Sequence, residues 1–414
     1  MMRAGIKWPT KRLSELAEFR NGVNYNKSSF GNGIKVVGVS DFQNYTKPRY
    51  DELDQINPEG IVTERNILHD GDIVFVRSNG NRELIGRSLF IEQPPEEVTH
   101  SAFTIRLRFN TRDVHPKFYA YCFRTPIIRQ GLTASGGGTN ISNLNQDILN
   151  SLEVPFPPLP VQRRIADILS AYDELIENNQ QRIRILEDMA RSLYREWFVH
   201  FRYPGHESVP LVDSPLGQIP QGWEVGALGD FIQFKSGFAF KSGSFTADGE
   251  HRLVTIKNVQ DGSFNPESDS LMGELPDKLP SHCILNDGDI LLSLTGNVGR
   301  VCLVYDGPFY LNQRVAKLVP NNAKDWAMTY CMFRVPEMRV KLEQLSNGVA
   351  QQNLSPVLAA KMEFVKAPRI LLDCFAALAE PMIKSIIQLY ASNKNLRRTR
   401  DLLLPRLLSG QVNL

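Results

Sequence analysis

The chain has 414 residues, of which 42% are hydrophobic and 22% charged, and its formal net charge at pH 7 is +2. A chain of this length exceeds what one hydrophobic core supports, so two or three domains of ordinary globular composition are expected. The small net charge excludes binding of a polyanion through bulk charge, and any nucleic-acid surface must be a local patch.

The sequence favours a cytoplasmic protein. Its first residues, "MMRAGIKWPTKRLSELAEF", lack the apolar segment and the small-residue cleavage site of a secretion signal. No apolar run approaches the roughly 18–20 residues that a membrane-spanning helix needs. The five cysteines are scattered and never form CxxC, which is typical of a reducing compartment and argues against a disulfide framework or a zinc ribbon.

Residues 1–155 are predicted to form a mixed α/β globule. Short β-prone runs such as "IKVVGV", "DIVFV" and "FTIRLRF" alternate with Gly, Asn, Asp and Pro clusters, a pattern that predicts strands joined by turns. A short helical segment, "PKFYAYCFR", and a polar loop follow. About 150 residues is an ordinary size for such a domain.

A tight turn enters one of these strands in the segment "DGDIVFV". Its carboxylates, Asp70 and Asp72, allow two interpretations: ligands for the Mg²⁺ of a nuclease, or caps of the turn. We favour the capping interpretation, because an Asp-Gly step is typical of a tight turn that enters a strand.

A long helix is predicted over residues 156–200. Its apolar residues recur at steps of three or four, the spacing of a coiled-coil seam, with the polar Asn179 among them. A single amphipathic helix is more often one that lies on a core, so this segment alone does not establish helix pairing. The residues assigned to the seam are Ile165, Ile168, Tyr172, Ile176, Ile183, Leu186, Leu193 and Trp197.

Residues 201–222 are predicted to form an extended connector. They include Pro204, Pro210, Pro215 and Pro220. Proline lacks a backbone donor and restricts φ, which favours an extended chain over a packed element.

Residues 223–367 repeat the first globule. Four segments return in the same order about 210–217 residues later, which indicates an internal duplication whose loops vary in length. Asp287 and Asp289 therefore receive the same two interpretations as the first aspartate pair. The matched segments are Trp8–Gly22 with Trp223–Gly237, Asp70–Ile73 with Asp287–Ile290, "FYAYCFRTP" with "MTYCMFRVP", and Thr139–Ser142 with Gln352–Ser355.

Residues 368–414 are predicted to form a second long helix in the same phase as the first. The matched phase favours packing of the two helices on each other, with Asn179, Asn393 and Arg400 fixing their register. About forty residues make a rod of roughly 60 Å. Pro381 is expected to kink this helix or delay its start. Its seam residues are Phe375, Leu378, Met382, Ile386, Leu389, Leu396, Leu403 and Leu407.

The predicted fold class is therefore α/β (α+β). Two tandem globules are each followed by a long helix, and the helices form an antiparallel coiled coil with a pseudo-twofold axis. The predicted boundaries are 1–155 and 223–367 for the globules, 156–200 and 368–414 for the helices, and 201–222 for the connector.

Polar loops follow the repeated strands and precede each long helix. Arg, Asn and Gln side chains match the edges of guanine and adenine in the major groove, and Ser, Thr and glycine-exposed amides suit phosphates. Solvated loops have a similar composition, so each residue is only a candidate. The DNA-binding candidates are Arg77, Asn79, Asn81, Arg82, Arg87, Thr139, Asn140, Ser142, Asn143, Lys235, Thr295, Asn297, Arg300, Arg314, Gln351, Gln352, Asn353 and Ser355.

Motifs of catalysis are missing from the sequence. It contains no GxxxxGK[ST] phosphate loop, no strand–GxGxxG–helix pattern, no NPPY-like methyltransferase tetrapeptide and no HExxH pair. We interpret the chain as non-catalytic, with no catalytic and no metal-binding residues of its own.

The chain resembles the specificity subunits of type I restriction-modification enzymes. The residues that carry the likeness are the duplicated "DGDI…GR" element, the segment "VPFPPLPVQRRIADILSAYDELIENN" with Pro158, Pro160, Gln162 and Ile165, the tail "SLYREWFVHFRYPG" and the ending "PRLLSGQV". The resemblance covers essentially the whole chain. The second copy departs from it in "APRILLDCFAAL", which lacks the Gln but keeps the helix phase.

This resemblance implies a division of labour. The two globules would be target recognition domains, each reading one half of a bipartite, asymmetric site in double-stranded DNA. The helix pair would set the distance between half-sites and dock two methyltransferase subunits, with restriction subunits joining the larger complex. S-adenosylmethionine, ATP and Mg²⁺ would be bound by those partners, and no cofactor by this chain.

Two other classes of function stay open at this stage. One is a stand-alone Mg²⁺-dependent nuclease or methyltransferase that uses the paired aspartates. The other is a protein-only coiled-coil adaptor without affinity for DNA.

Overall fold

The computed structural model describes residues 8–43, 46–134, 143–241, 243, 245–246, 248–267, 269–346 and 353–412, without the side chains of residues 82, 133 and 134. The chain divides into two compact units, each of which is described by itself. Unit 1 comprises Met1–Glu174 and Leu396–Leu414, and unit 2 comprises Leu175–Asn395.

The elements follow one another in the order that the repeats predict. The strands are β1 Thr10–Arg12, β2 Ala17–Asn21, β3 Phe30–Val37, β4 Asp54–Ile56, β5 Ile73–Val76, β6 Ser88–Phe90, β7 Val98–His100, β8 Thr104–Phe109, β9 Glu153–Pro155, β10 Leu211–Ser214, β11 Gly217–Pro220, β12 Glu224–Ala227, β13 Ile232–Ser236, β14 Phe245–Thr246, β15 His251–Val254, β16 Leu271–Met272, β17 Ile284–Leu285, β18 Ile290–Ser293, β19 Val301–Leu303, β20 Phe309–Leu311, β21 Val315–Pro320 and β22 Glu363–Lys366. The helices are α1 Pro116–Cys122, α2 Pro126–Ala134, α3 Gln146–Ser151, α4 Leu159–Tyr194, α5 Trp326–Arg334, α6 Pro336–Leu345, α7 Pro356–Ala360 and α8 Arg369–Leu408.

Unit 1 contains two main sheets. The first has the antiparallel order β2-β8-β5-β6, and the second has the order β4-β3-β7 with β3 and β7 parallel. All four residues of β5, Ile73 to Val76, are buried, which explains why this strand reads as a continuous β-branched and aromatic run. A short ladder of β1 with β9 brings the start of the globule to its end.

Unit 2 has the same plan. Its antiparallel sheet β13-β21-β18-β19 matches the first sheet of unit 1, and β15 pairs in parallel with β20 as β3 does with β7. The ladder of β12 with β22 corresponds to that of β1 with β9. The second sheet is larger in unit 2, with the order β14-β16-β15-β20-β17 in place of β4-β3-β7. The predicted internal duplication is therefore confirmed for the first sheet and for the parallel strand pair.

Both long helices contribute to the core of each unit. In unit 1, Ile165 and Leu169 from the start of α4 are buried in one cluster with Leu404 and Leu407 from the end of α8. In unit 2, the end of α4 meets the start of α8, where the rings of Tyr194, Trp197 and Phe198 surround that of Phe375 at centroid distances of 5.1–6.3 Å. Within each unit the two helices thus run antiparallel, as predicted.

A repeated arginine joins each globule to a helix. Arg124 lies 3.3 Å from a carboxylate oxygen of Asp173 in unit 1, and its counterpart Arg334 lies 2.6 Å from one of Glu187 in unit 2. The segment "FRTP" follows α1, and "FRVP" includes the end of α5. The guanidinium groups of these two segments fix each globule to α4.

The predicted seam residues are buried or half-buried in both helices, with one exception. Leu378 is 48% exposed, whereas Ala379 and Ile383 are fully buried. The buried stripe moves by one residue here because the actual repeat of a helix is 3.6 residues, so steps of three and four must alternate irregularly.

Pro381 does not delay the second helix. Helix α8 runs from Arg369 to Leu408 without interruption, and the carbonyl oxygen of Pro381 accepts a hydrogen bond of 2.8 Å from the Ser385 hydroxyl. Proline removes one backbone donor inside the helix, while the buried residues on either side hold the helix in place by packing.

The connector is not a free extended chain. Strands β10 and β11 pair as a hairpin, and Tyr203, Ile219 and Trp223 are buried in the core of unit 2. The prolines favour an extended backbone, as expected, but the apolar residues between them pack on the core of unit 2.

Gln162 shows why the entry to the first long helix carries its Pro-x-Pro-x-Gln pattern. Its fully buried amide accepts a hydrogen bond from the His115 backbone at 2.8 Å and donates to the carbonyls of Asp113 and Pro157. In the second copy the same junction is made by Arg369, which pairs with Asp325 and Asp373. The missing Gln is therefore replaced by an ion-pair junction.

Candidate nucleic-acid interface

The duplicated "DGDI" turns are held by their own aspartates. Gly71 and Gly288 have φ of 88° and 90°, the left-handed region that glycine adopts without strain. Asp70 accepts a hydrogen bond from the Gln93 backbone at 2.7 Å, and Asp287 accepts one from the Gly307 backbone at 2.8 Å. The second aspartate caps each turn, because the backbone N–H of His69 donates to Asp72 at 2.7 Å and that of Asn286 donates to Asp289 at 2.9 Å. The capping interpretation is confirmed for Asp72 and Asp289, whereas Asp70 and Asp287 hold a neighbouring segment.

The second aspartate of each turn forms an ion pair with the neighbouring strand. Asp72, only 1% exposed, accepts two hydrogen bonds from Arg108 at 2.7 and 2.6 Å. Asp289 lies 2.7 Å from the ammonium of Lys317. These carboxylates are thus engaged inside the fold, and within the described residues no group of three or more His, Cys, Asp and Glu side chains is placed to hold a metal ion.

Three loops of unit 1 meet at the end of strand β5. The backbone N–H of Leu144, just before α3, donates to the carbonyl of Arg77 at 2.9 Å. The N–H of Arg77 donates in turn to the carbonyl of Phe103, in the turn between β7 and β8, at 2.8 Å. Candidate residues from separate parts of the sequence are therefore brought to one place.

Unit 2 repeats this meeting with other side chains. The N–H of Leu354 donates to the carbonyl of Leu294 at 2.8 Å, and the N–H of Leu294 donates to the carbonyl of Arg314 at 3.0 Å. Thr295 and Asn353 form an isolated bridge beside these bonds. The backbone framework of the two loop clusters is the same, whereas the exposed side chains differ.

Several candidates of unit 1 are occupied by contacts with their own backbone. The side-chain carbonyls of Asn79 and Asn81 accept hydrogen bonds from the backbone two residues ahead, at 2.7 and 3.0 Å. The guanidinium of Arg87 donates to the carbonyls of Glu83, Phe42 and Gln43. Arg87 therefore shapes the loop, and its assignment to DNA stays a prediction.

The other candidates of unit 1 are less constrained. Arg77 is half-buried and its guanidinium lies 3.5 Å from the carbonyl of Ala102, while Asn143 is exposed. Arg82 begins the short turn Arg82–Leu84. Thr139, Asn140 and Ser142 lie outside the described residues.

In unit 2 the exposed candidates are Asn297, Arg314 and Asn353. Lys235 is half-buried on β13, opposite Lys317. Gln351 and Gln352 lie outside the described residues.

Two further candidates of unit 2 hold local structure. The guanidinium of Arg300 donates to the side-chain carbonyl of Gln260 at 2.8 Å, and the hydroxyl of Ser355 caps the start of α7. The guanidinium of Arg300 has five N–H donors and this amide takes one of them, so its assignment to DNA stays a prediction.

Sequence reasoning missed a basic cluster behind the unit 1 loops. Burial, together with Arg106, Arg108 and Arg20, lowers the pKa of His100 to about 3, so the imidazole is neutral at physiological pH. Arg106 pairs with Glu18 at 2.7 Å, and Arg108 with Asp72. These ion pairs neutralise most of the charge of the cluster. Arg106 and Arg108 alternate with apolar residues along β8, and this alternation in the sequence predicts that both arginines lie on one face of the strand.

No helix among the described residues is both long enough and apolar enough to cross a membrane.

The fold defines a duplicated α/β protein with one loop cluster in each unit, and comparison with known proteins gives the family. The family model for the type I restriction modification DNA specificity domain matches residues 5–188 and 220–356. The chain therefore belongs to this family, as the resemblance in its motifs predicted.

Named relatives match over nearly the full length. The chain is 25% identical to the type I restriction enzyme MjaIX specificity subunit of Methanocaldococcus jannaschii, over 98% of this chain and 93% of that protein. It is 22% identical to the HindI specificity subunit of Haemophilus influenzae, over 84% of this chain and 88% of that protein.

A solved structure has the same fold. The type I restriction-modification S subunit from M. genitalium is 16% identical and superposes with a TM-score of 0.59, over 99% of this chain and 98% of that one.

Proposed function

We propose that this chain is the non-catalytic DNA-reading subunit of a type I restriction-modification enzyme, and that each unit reads one half of a bipartite, asymmetric DNA site. The observation that carries the proposal is the pair of loop clusters with one backbone framework and different exposed side chains. A duplicated framework is what two readers of similar duplexes require, and differing side chains are what two different half-sites require.

The long helices have two roles in this proposal. They set the distance between the half-sites, and they dock two methyltransferase subunits, through which restriction subunits join. S-adenosylmethionine, ATP and Mg²⁺ belong to those partners. The names of the relatives support this assignment, since each is called a specificity subunit of a type I restriction enzyme.

The two rival classes of function predict different behaviour. A nuclease or methyltransferase would cleave or methylate DNA as the purified chain with Mg²⁺ or a methyl donor. The engagement of Asp72 and Asp289 in ion pairs counts against that class. A protein-only adaptor would show no salt-sensitive binding of duplex DNA, whereas a reader that contacts phosphates must show it.

A domain exchange tests the proposal. Residues 1–155 are replaced by the corresponding segment of a relative, and methylated sites are mapped genome-wide in the native host. We expect one half of the recognised sequence to change and the other half, with the spacer length, to stay.

The matched control exchanges residues 223–367 and should change the other half only. If either exchange altered both halves, or if the chain were recovered from the host without a methyltransferase, the proposal would be wrong.

A further inference from the structure

An aromatic side chain stands at the tip of the turn between β7 and β8. Phe103 is 60% exposed, although burial of a phenyl ring is favourable. Single exposed apolar residues are common on protein surfaces, so exposure alone carries no argument. Two further features distinguish Phe103: the hydrogen bonds that hold its turn, and the position of that turn in the loop cluster.

The turn is rigid. The N–H of Thr104 donates to the carbonyl of Ser101 at 2.8 Å, and the N–H of Phe103 donates to the Ser101 hydroxyl at 3.3 Å. The N–H of Ala102 is held by the carbonyl of Val23 at 2.8 Å. The ring of Phe103 is therefore presented on a fixed backbone, which lowers the entropy lost when it contacts a ligand.

The same turn in unit 2 presents a different side chain. The N–H of Val315 donates to the carbonyl of Asn312 at 3.0 Å, and the N–H of Arg314 donates to the Asn312 side chain at 3.3 Å. Arg314, which is exposed, thus occupies the position of Phe103. The same turn therefore presents a phenyl ring in unit 1 and a guanidinium group in unit 2.

The position lies inside the loop cluster already described. The carbonyl of Phe103 accepts the hydrogen bond from Arg77, as that of Arg314 does from Leu294. A phenyl ring offers no hydrogen bond to a base edge. In the major groove the apolar feature of the base edges is the C5-methyl group of thymine.

We propose that Phe103 contacts the methyl group of one thymine in the half-site read by unit 1, and that the turn is a specificity-determining position in both units. This inference rests on the proposed function. In unit 2 the guanidinium of Arg314 reads guanine at the matching step, since Arg is the side chain that bonds both acceptors of guanine.

The experiment uses the full-length chain with any subunits that copurify with it. Its motif is first selected from a pool of duplex oligonucleotides of randomised sequence. Each thymine of the motif is then replaced in turn by deoxyuridine, which lacks only the methyl group, and equilibrium binding is measured. For the wild-type chain we expect about a fourfold loss at one thymine of one half-site, the worth of one buried methyl-sized group.

Substitutions assign that loss to the ring. Phe103→Ala should bind the thymine and deoxyuridine duplexes equally, and Phe103→Leu should keep part of the difference. Ile127→Ala, which removes an exposed apolar side chain of α2 in unit 1 (55% exposed), should behave as wild type.

The outcomes separate this inference from the proposed function. If the wild-type chain enriches a bipartite motif but Phe103→Ala keeps the wild-type deoxyuridine profile, only the inference is overturned. If the wild-type chain enriches no motif, the proposed function fails with it.

Discussion

Asp173 is the most heavily engaged carboxylate of the long helices. It accepts a hydrogen bond of 2.8 Å from the Tyr121 hydroxyl and lies between the guanidinium groups of Arg124 and Arg400. Burial alone would raise the pKa of Asp173, but Arg124 and Arg400 outweigh burial and hold this pKa below its ordinary value of 3.8. Its charge therefore contributes to the stability of unit 1.

The sign of this contribution gives a pH-dependent prediction. Because the folded-state pKa of Asp173 is lowered, the stabilisation is complete above the unfolded-state pKa and is lost as the pH falls through the folded-state pKa. Asp173→Asn should lower the free energy of unfolding by about 2 kcal/mol at pH 7, since two half-buried cations lose their counter-charge. The deficit should shrink as the pH falls from about 5 toward 3.

Urea unfolding at both ends of this pH range measures the effect. Asp188→Asn is the matched control, because Asp188 is on the same helix but its side chain is 66% exposed beside Arg191. It should cost no more than about 0.5 kcal/mol at either pH. A deficit for Asp173→Asn that stayed constant with pH would contradict the role of its charge.

At the scale of elements, a polar pair lies within the helix contact of unit 2. The Asn179 amide donates to the Asn393 side-chain carbonyl at 2.9 Å, and both residues are buried. Ile183 packs nearby against Ile386 and Leu389. A buried amide pair costs stability relative to an apolar pair but is satisfied in only one register, so it selects that register.

A double-substitution cycle tests this interpretation. Asn179→Leu alone should lower the free energy of unfolding by about 1–3 kcal/mol, because the Asn393 amide is left buried with one partner fewer. Adding Asn393→Leu should recover most of this loss or exceed the wild-type stability. Thermal unfolding of the four proteins supplies the cycle, and a double variant that is less stable than either single one would contradict it.

At the scale of the whole molecule, both long helices pass from one unit to the other. Helix α4 does so between Glu174 and Leu175, and α8 between Asn395 and Leu396. In the proposed function the length of these helices is a ruler for the DNA between half-sites.

Helices α4 and α8 can be lengthened without a change in any loop. Insertion of one heptad into each helix at these two points adds about 10 Å of helix. Because base pairs are spaced by about 3.4 Å, the unread spacer should grow by about three base pairs while both half-sites stay the same. Methylation mapping measures the length of the spacer. Insertion into α4 alone is the control, and it should disrupt assembly because the two helices then lose their register. If the double insertion left the spacer unchanged, helix length would not set the distance between the half-sites.

Prediction from sequence was accurate where patterns are local. The duplicated strands and the two long helices were predicted because period and turn chemistry are carried by neighbouring residues. Leu378 was misplaced because a step of three or four is ambiguous at each residue. The packing of the connector is not predictable from its prolines, because the core that receives Ile219 is formed by residues elsewhere in the chain.

Repeats and periodicity are properties of the chain, so they are enough to establish that the same unit occurs twice in this protein, with a long helix after each copy. The folded structure was needed to find which loops meet, that neighbouring groups hold Arg87 and Arg300, and that Phe103 lies on a rigid turn. Those outcomes depend on hydrogen bonds between residues far apart in the sequence, which no local pattern specifies.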